Sequence, residues 1–142
     1  DIDENSAFAW GMSGLTYCYL GEPEEAMRRF DKVAQLSPLD PLMFFYTAGK
    51  CLAEFLAGRY EQALPWSLKA LRENARFLAA IRHHLACLGQ LGRIEEARPH
   101  VDALLAIEPG FKVGNFETWY PLRPADNLRR YVEGLRRVGL PE

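Results

Sequence analysis

The chain has 142 residues, of which 49% are hydrophobic and 25% charged, a composition that excludes an intrinsically disordered segment. Its formal net charge is −2, so electrostatics favours neither nucleic acid nor an anionic membrane as a partner. No apolar run reaches the roughly 20 residues that a membrane-spanning helix needs.

Residues 1–6 are predicted to form a short N-terminal leader. They begin with Asp1 instead of methionine and show no signal-peptide pattern, so we interpret the chain as a piece of a longer protein. Ser6 is expected to cap the first helix, because a serine side chain can accept hydrogen bonds from the free N–H groups at a helix start.

Six amphipathic helices are predicted after the leader, because apolar residues recur three and four positions apart. The predicted helices span residues 7–20 and 23–36, then 41–57 and 60–74, and then 76–91 and 94–108. Two successive helices form one antiparallel hairpin, and the three predicted hairpins are residues 7–40, 41–76 and 77–110. The pattern therefore indicates an all-α protein.

Each hairpin carries the same short element where its second helix begins. A glycine is followed three positions later by glutamate and five positions later by alanine, in the segments Gly21–Ala26, Gly58–Ala63 and Gly92–Ala97. The glycines are 37 and then 34 residues apart, and a repeat length of 34 residues is typical of tetratricopeptide repeats. The glycines are expected at helix ends, and Gly21 is expected to end the first helix with a positive φ.

The first hairpin resembles a tetratricopeptide repeat residue by residue. The motif positions are occupied by Trp10, Gly14, Tyr17, Ala26, Phe30 and Pro38, and Ser13 stands where the repeat usually has leucine. Its small residues let the two helices approach closely, and its aromatic residues fill the core around that contact. The other two hairpins are degenerate; in the second, Cys51 replaces a small residue and Ser67 an aromatic one. The resemblance covers residues 7–110 and implies an α-α superhelix with a concave, protein-binding inner face.

Residues 111–142 depart from the repeat and form a tail. A short helix is predicted within residues 111–120, and an amphipathic helix is predicted from Pro124 to about Val138. The second of these is suited to cap the last hydrophobic face of the array. Its polar face, which we interpret as solvated, carries four arginines, Arg129, Arg130, Arg136 and Arg137.

The end of the chain carries a second resemblance. Gly-Arg-x-Glu-Glu-Ala-Arg begins at Gly92, Leu-x-x-Glu-Pro-Gly-Phe begins at Leu105, and Leu-Arg-x-Tyr-x-Glu-Gly-Leu-Arg-Arg-x-Gly-Leu-Pro-Glu begins at Leu128. This order is similar to the C-terminal tetratricopeptide region of multidomain bacterial class III adenylate/guanylate cyclases. The resemblance implies a cytoplasmic signalling protein as the parent, in which this region regulates and another domain catalyses.

The chain itself is predicted to be no enzyme and to hold no cofactor. It has no strand pattern that could carry the two metal-binding aspartates of a cyclase, and no glycine-rich phosphate loop. His83, His84 and Cys87 fall short of the four ligands of a durable zinc site, so no metal is expected. The glutamates that start the second helices are expected to stabilise helix dipoles, and they are Glu22, Glu24, Glu25, Glu95 and Glu96. Cys18, Cys51 and Cys87 are expected to be buried, reduced thiols.

The candidate binding site is the concave face, which the first helix of each hairpin is expected to supply. Helical register places on it Phe8, Leu15, Tyr19, Phe45, Leu52, Phe55, Leu56, Arg82, His83, Ala86 and Gln90. If exposed, this face suits a peptide, a protein or another domain of the parent chain. Alternatively, further N-terminal repeats or residues 111–120 cover it. A regulatory interaction module is the leading function; a spacer or homodimerisation element and a small-molecule-binding domain are the alternatives.

Overall fold

The computed structural model describes the backbone of residues 2–142 and the side chains of residues 6–142. This part of the chain is entirely helical, and its helices are α1 (Ile2–Tyr19), α2 (Pro23–Leu36), α3 (Met43–Leu56), α4 (Tyr60–Glu73), α5 (Leu78–Leu91), α6 (Ile94–Ile107), α7 (Val113–Glu117) and α8 (Ala125–Arg137). None of these helices combines the length and the apolar character that crossing a membrane requires. Asp1, the first residue of the predicted leader, lies outside the described residues.

The predicted helix map is confirmed to within two residues at the boundaries of α2 to α6, and wrong at the start of α1. Helix α1 begins at Ile2, so Ser6 lies inside the helix and does not cap it. The residues between Ile2 and Ser6 include neither proline nor glycine, so nothing in the sequence interrupts the helix there.

Three antiparallel pairs, α1 with α2, α3 with α4 and α5 with α6, follow one another along the chain. Each pair is joined by a tight turn at Gly21, Gly58 or Gly92, with φ of 78°, 78° and 71°. In each turn the residue after the glycine donates its N–H to a carbonyl of the preceding helix, as Glu22 does to Tyr17 at 2.9 Å. The expected helix-ending role of these glycines is thus confirmed.

The small residues of the first hairpin lie under one aromatic ring. Phe30 of α2 is almost fully buried, and a Cβ atom built on Gly14 or Gly49 would come within 2.8 or 2.4 Å of its ring. These glycines therefore permit α1 and α3 to pack on α2. Trp10 and Tyr17, expected in the core, are instead partly buried, and their rings lie 5.1 and 4.6 Å from the guanidinium of Arg29.

The tail covers the last hairpin from the side of α5. Helix α8 packs along α5, and its apolar residues join the hydrophobic core that runs through the hairpins. The chain end folds back as well, because the N–H of Val113 donates to the carbonyl of Pro141 at 2.8 Å. The predicted C-terminal helix is therefore present, and it lies on the inner side of the array.

Candidate functional site

The first helices of the hairpins, α1, α3 and α5, lie side by side and form the inner face. Five of the candidate residues on it are buried, namely Leu52, Phe55, Leu56, His83 and Ala86. Five are partly exposed, namely Leu15, Tyr19, Phe45, Arg82 and Gln90. Phe8, near the start of α1, is 51% exposed. The binding role of these residues remains a prediction.

The tail of the chain occupies the part of the inner face between α3 and α5. The ring of Tyr131 packs against Phe55 with centroids 5.4 Å apart, and its hydroxyl shares a hydrogen bond with Nδ1 of His83 at 2.7 Å. Gln90 donates from Nε2 to the carbonyl of Arg130 at 2.7 Å. Residues 111–120 were one of the covers that the sequence left open, and Phe116 and Tyr120 from that segment lie on this part of the face. Helix α8 covers it as well.

Close contact between α5 and α8 depends on two glycines. A Cβ atom on Gly89 would lie 2.0 Å from the carbonyl oxygen of Gly134, and one on Gly134 would lie 2.4 Å from that of Ala86. Both neighbours are backbone atoms, which cannot rotate away as a side chain can. The two helices therefore touch along their backbones at this crossing.

Arg130 is not on a solvated face, and that part of the sequence interpretation is wrong. Its guanidinium donates to the carbonyls of Phe55 and Leu56 at 3.3 and 3.1 Å and to the hydroxyl of Tyr60 at 2.7 Å. These carbonyls belong to the last turn of α3, where backbone acceptors lack helical partners and the helix dipole attracts a cation. Arg130 thus fastens α8 to the end of α3.

Replacing Arg130 with methionine is expected to destabilise the chain by about 1.5 to 3 kcal/mol, the usual value of hydrogen bonds from a charged group. Methionine keeps an unbranched apolar side chain and removes the donors, together with the guanidinium that lies 5.2 Å from the centroid of the Phe55 ring. Arg129 offers a matched control, because it is exposed and pairs with Asp126 on its own helix. Its change to methionine should alter the free energy of unfolding in urea by less than about 0.5 kcal/mol. Equal effects of the two changes would contradict the fastening role.

A pocket of about 120 Å³ remains on the inner face beside the tail. It is lined by Leu15, Tyr19, Phe30, Phe45, Ala48, Gly49, Phe77, Ala79, Arg82, His83 and Tyr120. We call it the inner-face pocket. Phe45 and Phe77 line this pocket with their ring centroids 5.8 Å apart. The ring centroid of Phe44 lies 5.2 Å from that of Phe77 and extends this aromatic group. The lining is thus apolar except for Arg82, His83 and two tyrosine hydroxyls.

Sequence reasoning found five of these lining residues and missed the others. Tyr120 comes from the tail, and Phe77 is the residue directly before α5, so neither lies on the inner face by helical register. The aromatic residues Phe116, Trp119 and Tyr120 were a signal in the sequence that this segment packs against the hairpins. A free linker does not carry so many large apolar side chains.

His83, His84 and Cys87, the residues considered for a metal site, each contact a different side chain. His83 bonds Tyr131, whereas Nδ1 of His84 lies 2.6 Å from the hydroxyl oxygen of Ser67. Burial lowers the pKa of both imidazoles. The thiol of Cys87 lies against the thiol of Cys51. The three cysteines are buried and form no disulfide with one another. Over residues 6–142 no three metal-ligating side chains of His, Cys, Asp or Glu converge.

Four of the glutamates at the starts of the second helices form ion pairs on the surface, namely Glu24, Glu25, Glu95 and Glu96. Glu25 accepts from Arg28 and Arg29, and these hydrogen bonds lower the pKa of its carboxyl to about 2. Glu96 pairs with Arg93 at 2.7 Å. A carboxylate held ionised by arginines has no proton to give at neutral pH and is a poor general acid.

Comparison with known proteins identifies the fold. The structure is similar to the NMR structure of the first TPR domain of the human RPAP3 protein, with a TM-score of 0.66 and 21% sequence identity. The match covers 92% of this chain and 93% of that one. The predicted all-α superhelix of helical hairpins is thereby confirmed, and the chain has the fold of a tetratricopeptide-repeat domain. No protein-family model and no curated protein matches the sequence. The cyclase resemblance has no support from these comparisons.

Proposed function

We propose that this chain is a non-catalytic protein-interaction module, and that a partner protein anchors an apolar side chain in the inner-face pocket. The observation that supports this proposal is an apolar pocket on the concave side of a repeat array, where such arrays present extended binding surfaces. Aromatic residues at its edge, among them Phe45 and Phe77, are of the type that dominates binding energy at protein interfaces.

The tail limits where a partner can lie. It crosses the inner face near the ends of the first helices, where the N–H of Arg123 donates to the carbonyl of Tyr19 at 2.8 Å and Arg130 binds the end of α3. A partner segment therefore approaches from the other half of the face, past Phe45. It can insert one side chain without displacing α8.

A display selection with random dodecapeptides tests the proposal. The selected peptides should bind the chain in calorimetry, and Phe45→Glu should weaken them at least about thirtyfold, as loss of a central aromatic contact does. Leu39→Glu is the control, because Leu39 is 94% exposed in the loop before α3. Circular dichroism verifies that both variants fold. Peptides that bind Phe45→Glu as well as the unchanged chain would contradict the proposal.

Self-association is the competing function, and exposed Phe8 on the first helix favours it. Analytical ultracentrifugation of the chain with Phe8→Glu or Phe45→Glu separates the two. A dimer that dissociates with Phe45→Glu would place a second copy, instead of a foreign peptide, at the pocket. Phe55→Glu is unsuitable for this test, because Phe55 is fully buried against Tyr60 and Tyr131.

We also propose, on the tail motifs alone, that the parent is a cytoplasmic bacterial adenylate/guanylate cyclase. The module would then bind a regulatory protein or the parent's own catalytic domain. The sequence that precedes Asp1 in the parent decides this point. A class III cyclase domain there supports the assignment, and any other catalytic domain contradicts it.

A further inference from the structure

Arg82 is a cation of the inner-face pocket, and it forms no ion pair with the side chains of residues 6–142. Its guanidinium lies over the ring of Phe116 at 5.1 Å and near Tyr120 at 5.9 Å, and its Nε–H is buried without an acceptor in the part of the chain that the structure describes. Elsewhere, partly buried arginines are satisfied: Arg29 pairs with Glu25, and Arg130 bonds backbone carbonyls. Arg82 therefore has unused capacity to bind an anion.

The surroundings of Arg82 strengthen its attraction for a carboxylate. Apolar walls lower the local dielectric, so an ion pair formed there is stronger than one in water. A guanidinium also presents its N–H groups in a planar fork that matches the two oxygens of a carboxylate. The aromatic faces under Arg82 hold it in place but accept no conventional hydrogen bond. Nε itself is closed to solvent, so an entering carboxylate would have to bind the terminal nitrogens of the guanidinium.

The lining also limits the charge and size of the occupant. Arg82 is the only arginine or lysine among the lining residues, and buried His83 stays neutral because its pKa is lowered to about 3. One cation matches one carboxylate. The volume of about 120 Å³ is below the roughly 150 Å³ of a cavity that holds benzene, so the pocket has room for no more than one small aliphatic side chain beside that carboxylate.

We propose that the inner-face pocket selects a partner segment in which one glutamate or aspartate side chain neighbours an aliphatic residue, with Arg82 binding the carboxylate. The inference rests on the proposed function, because it specifies the segment that the module binds. The proposal assigns the carboxylate to a side chain; a chain terminus carries the same single charge, so the experiment includes a peptide that separates the two sources.

Nuclear magnetic resonance with blocked tripeptides tests the proposal directly. The probe is N-acetyl-Leu-Glu-Leu-amide, and the matched control is N-acetyl-Leu-Gln-Leu-amide. On titration into the 15N-labelled chain, the glutamate peptide should shift the Nε–Hε resonance of Arg82 and bind about ten to a hundred times more tightly than the glutamine peptide. N-acetyl-Leu-Gln-Leu with a free C-terminus is the third arm. If it binds as well as the glutamate peptide, a chain terminus is the carboxylate source and the proposal is overturned.

Variants assign the preference to Arg82. Arg82→Gln should bind the glutamate and glutamine peptides equally, and Arg82→Lys should restore part of the preference. Arg76→Gln, an exposed change near Phe77, should leave the preference unchanged. If the unchanged chain binds both peptides equally, and Phe45→Glu abolishes the binding of both, Arg82 has no role in selection. The chain would still be an interaction module that uses the inner-face pocket. If neither peptide binds, the proposal that the pocket selects an acidic residue beside an aliphatic one is refuted. The display selection with random dodecapeptides tests separately whether the chain is an interaction module.

Discussion

Replacing Gly89 with alanine should detach α8 from α5 and lower the free energy of unfolding by about 3 kcal/mol or more. The added Cβ atom would lie 2.0 Å from the carbonyl oxygen of Gly134, far inside van der Waals contact. Because the obstacle is backbone, the helices must move apart as rigid bodies. Burial of Tyr131 and the hydrogen bond between Tyr131 and His83 should be lost with that movement.

The predicted loss of stability in Gly89→Ala is opposite in sign to the effect of helix propensity. In the interior of a helix, alanine is normally more stable than glycine by about 1 kcal/mol, so a large loss cannot come from helix propensity. Urea unfolding measures the loss, and hydrogen exchange shows whether α8 opens before the hairpins do. Gly110→Ala is the control, since a Cβ atom there meets nothing within 4 Å. A stabilised Gly89→Ala variant would contradict the close helix crossing.

The hairpins could be predicted from sequence because each signal for them is local. Glycine spacing, helical periodicity and the small residue Gly14 opposite Phe30 all act within one or two neighbouring helices. Ser67, by contrast, departs from the repeat for a reason that only the structure shows. It replaces an aromatic residue and leaves room for His84, to which its hydroxyl is hydrogen-bonded at 2.6 Å.

The position of α8 on the inner face could not be predicted, because it depends on contacts between residues far apart in the chain. Gly89 and Gly134 each look like weak points in their own helices, and only their mutual contact explains them. Periodicity correctly assigned Arg130 to the polar face of α8, but the end of α3 offers carbonyl acceptors to that face. A polar face can therefore be buried where it meets a helix terminus.

Two neighbouring histidines should make the protein acid-sensitive well above the pKa of its carboxylates. Burial, aided by the charge of Arg82, lowers the pKa of His83 from 6.5 to about 3. Burial and the nearby His100 lower that of His84 to about 4, with Glu96 opposing and Arg93 assisting the shift. Both imidazoles are neutral in the folded chain at pH 5, whereas they are protonated in the unfolded chain.

Since the unfolded state binds more protons below pH 6.5, stability falls as the pH decreases from there and continues to fall toward the folded-state pKa values. One pKa unit corresponds to about 1.4 kcal/mol, so each histidine should lower the free energy of unfolding by about 2 kcal/mol between pH 7 and 5. Urea unfolding at pH 7, 6 and 5 measures the loss. His83→Gln, which keeps a hydrogen-bonding group near Tyr131, should be less stable at pH 7 and show roughly half the pH dependence. A flat profile for the unchanged chain from pH 7 to 5 would mean that the folded chain protonates these imidazoles readily, which their burial opposes.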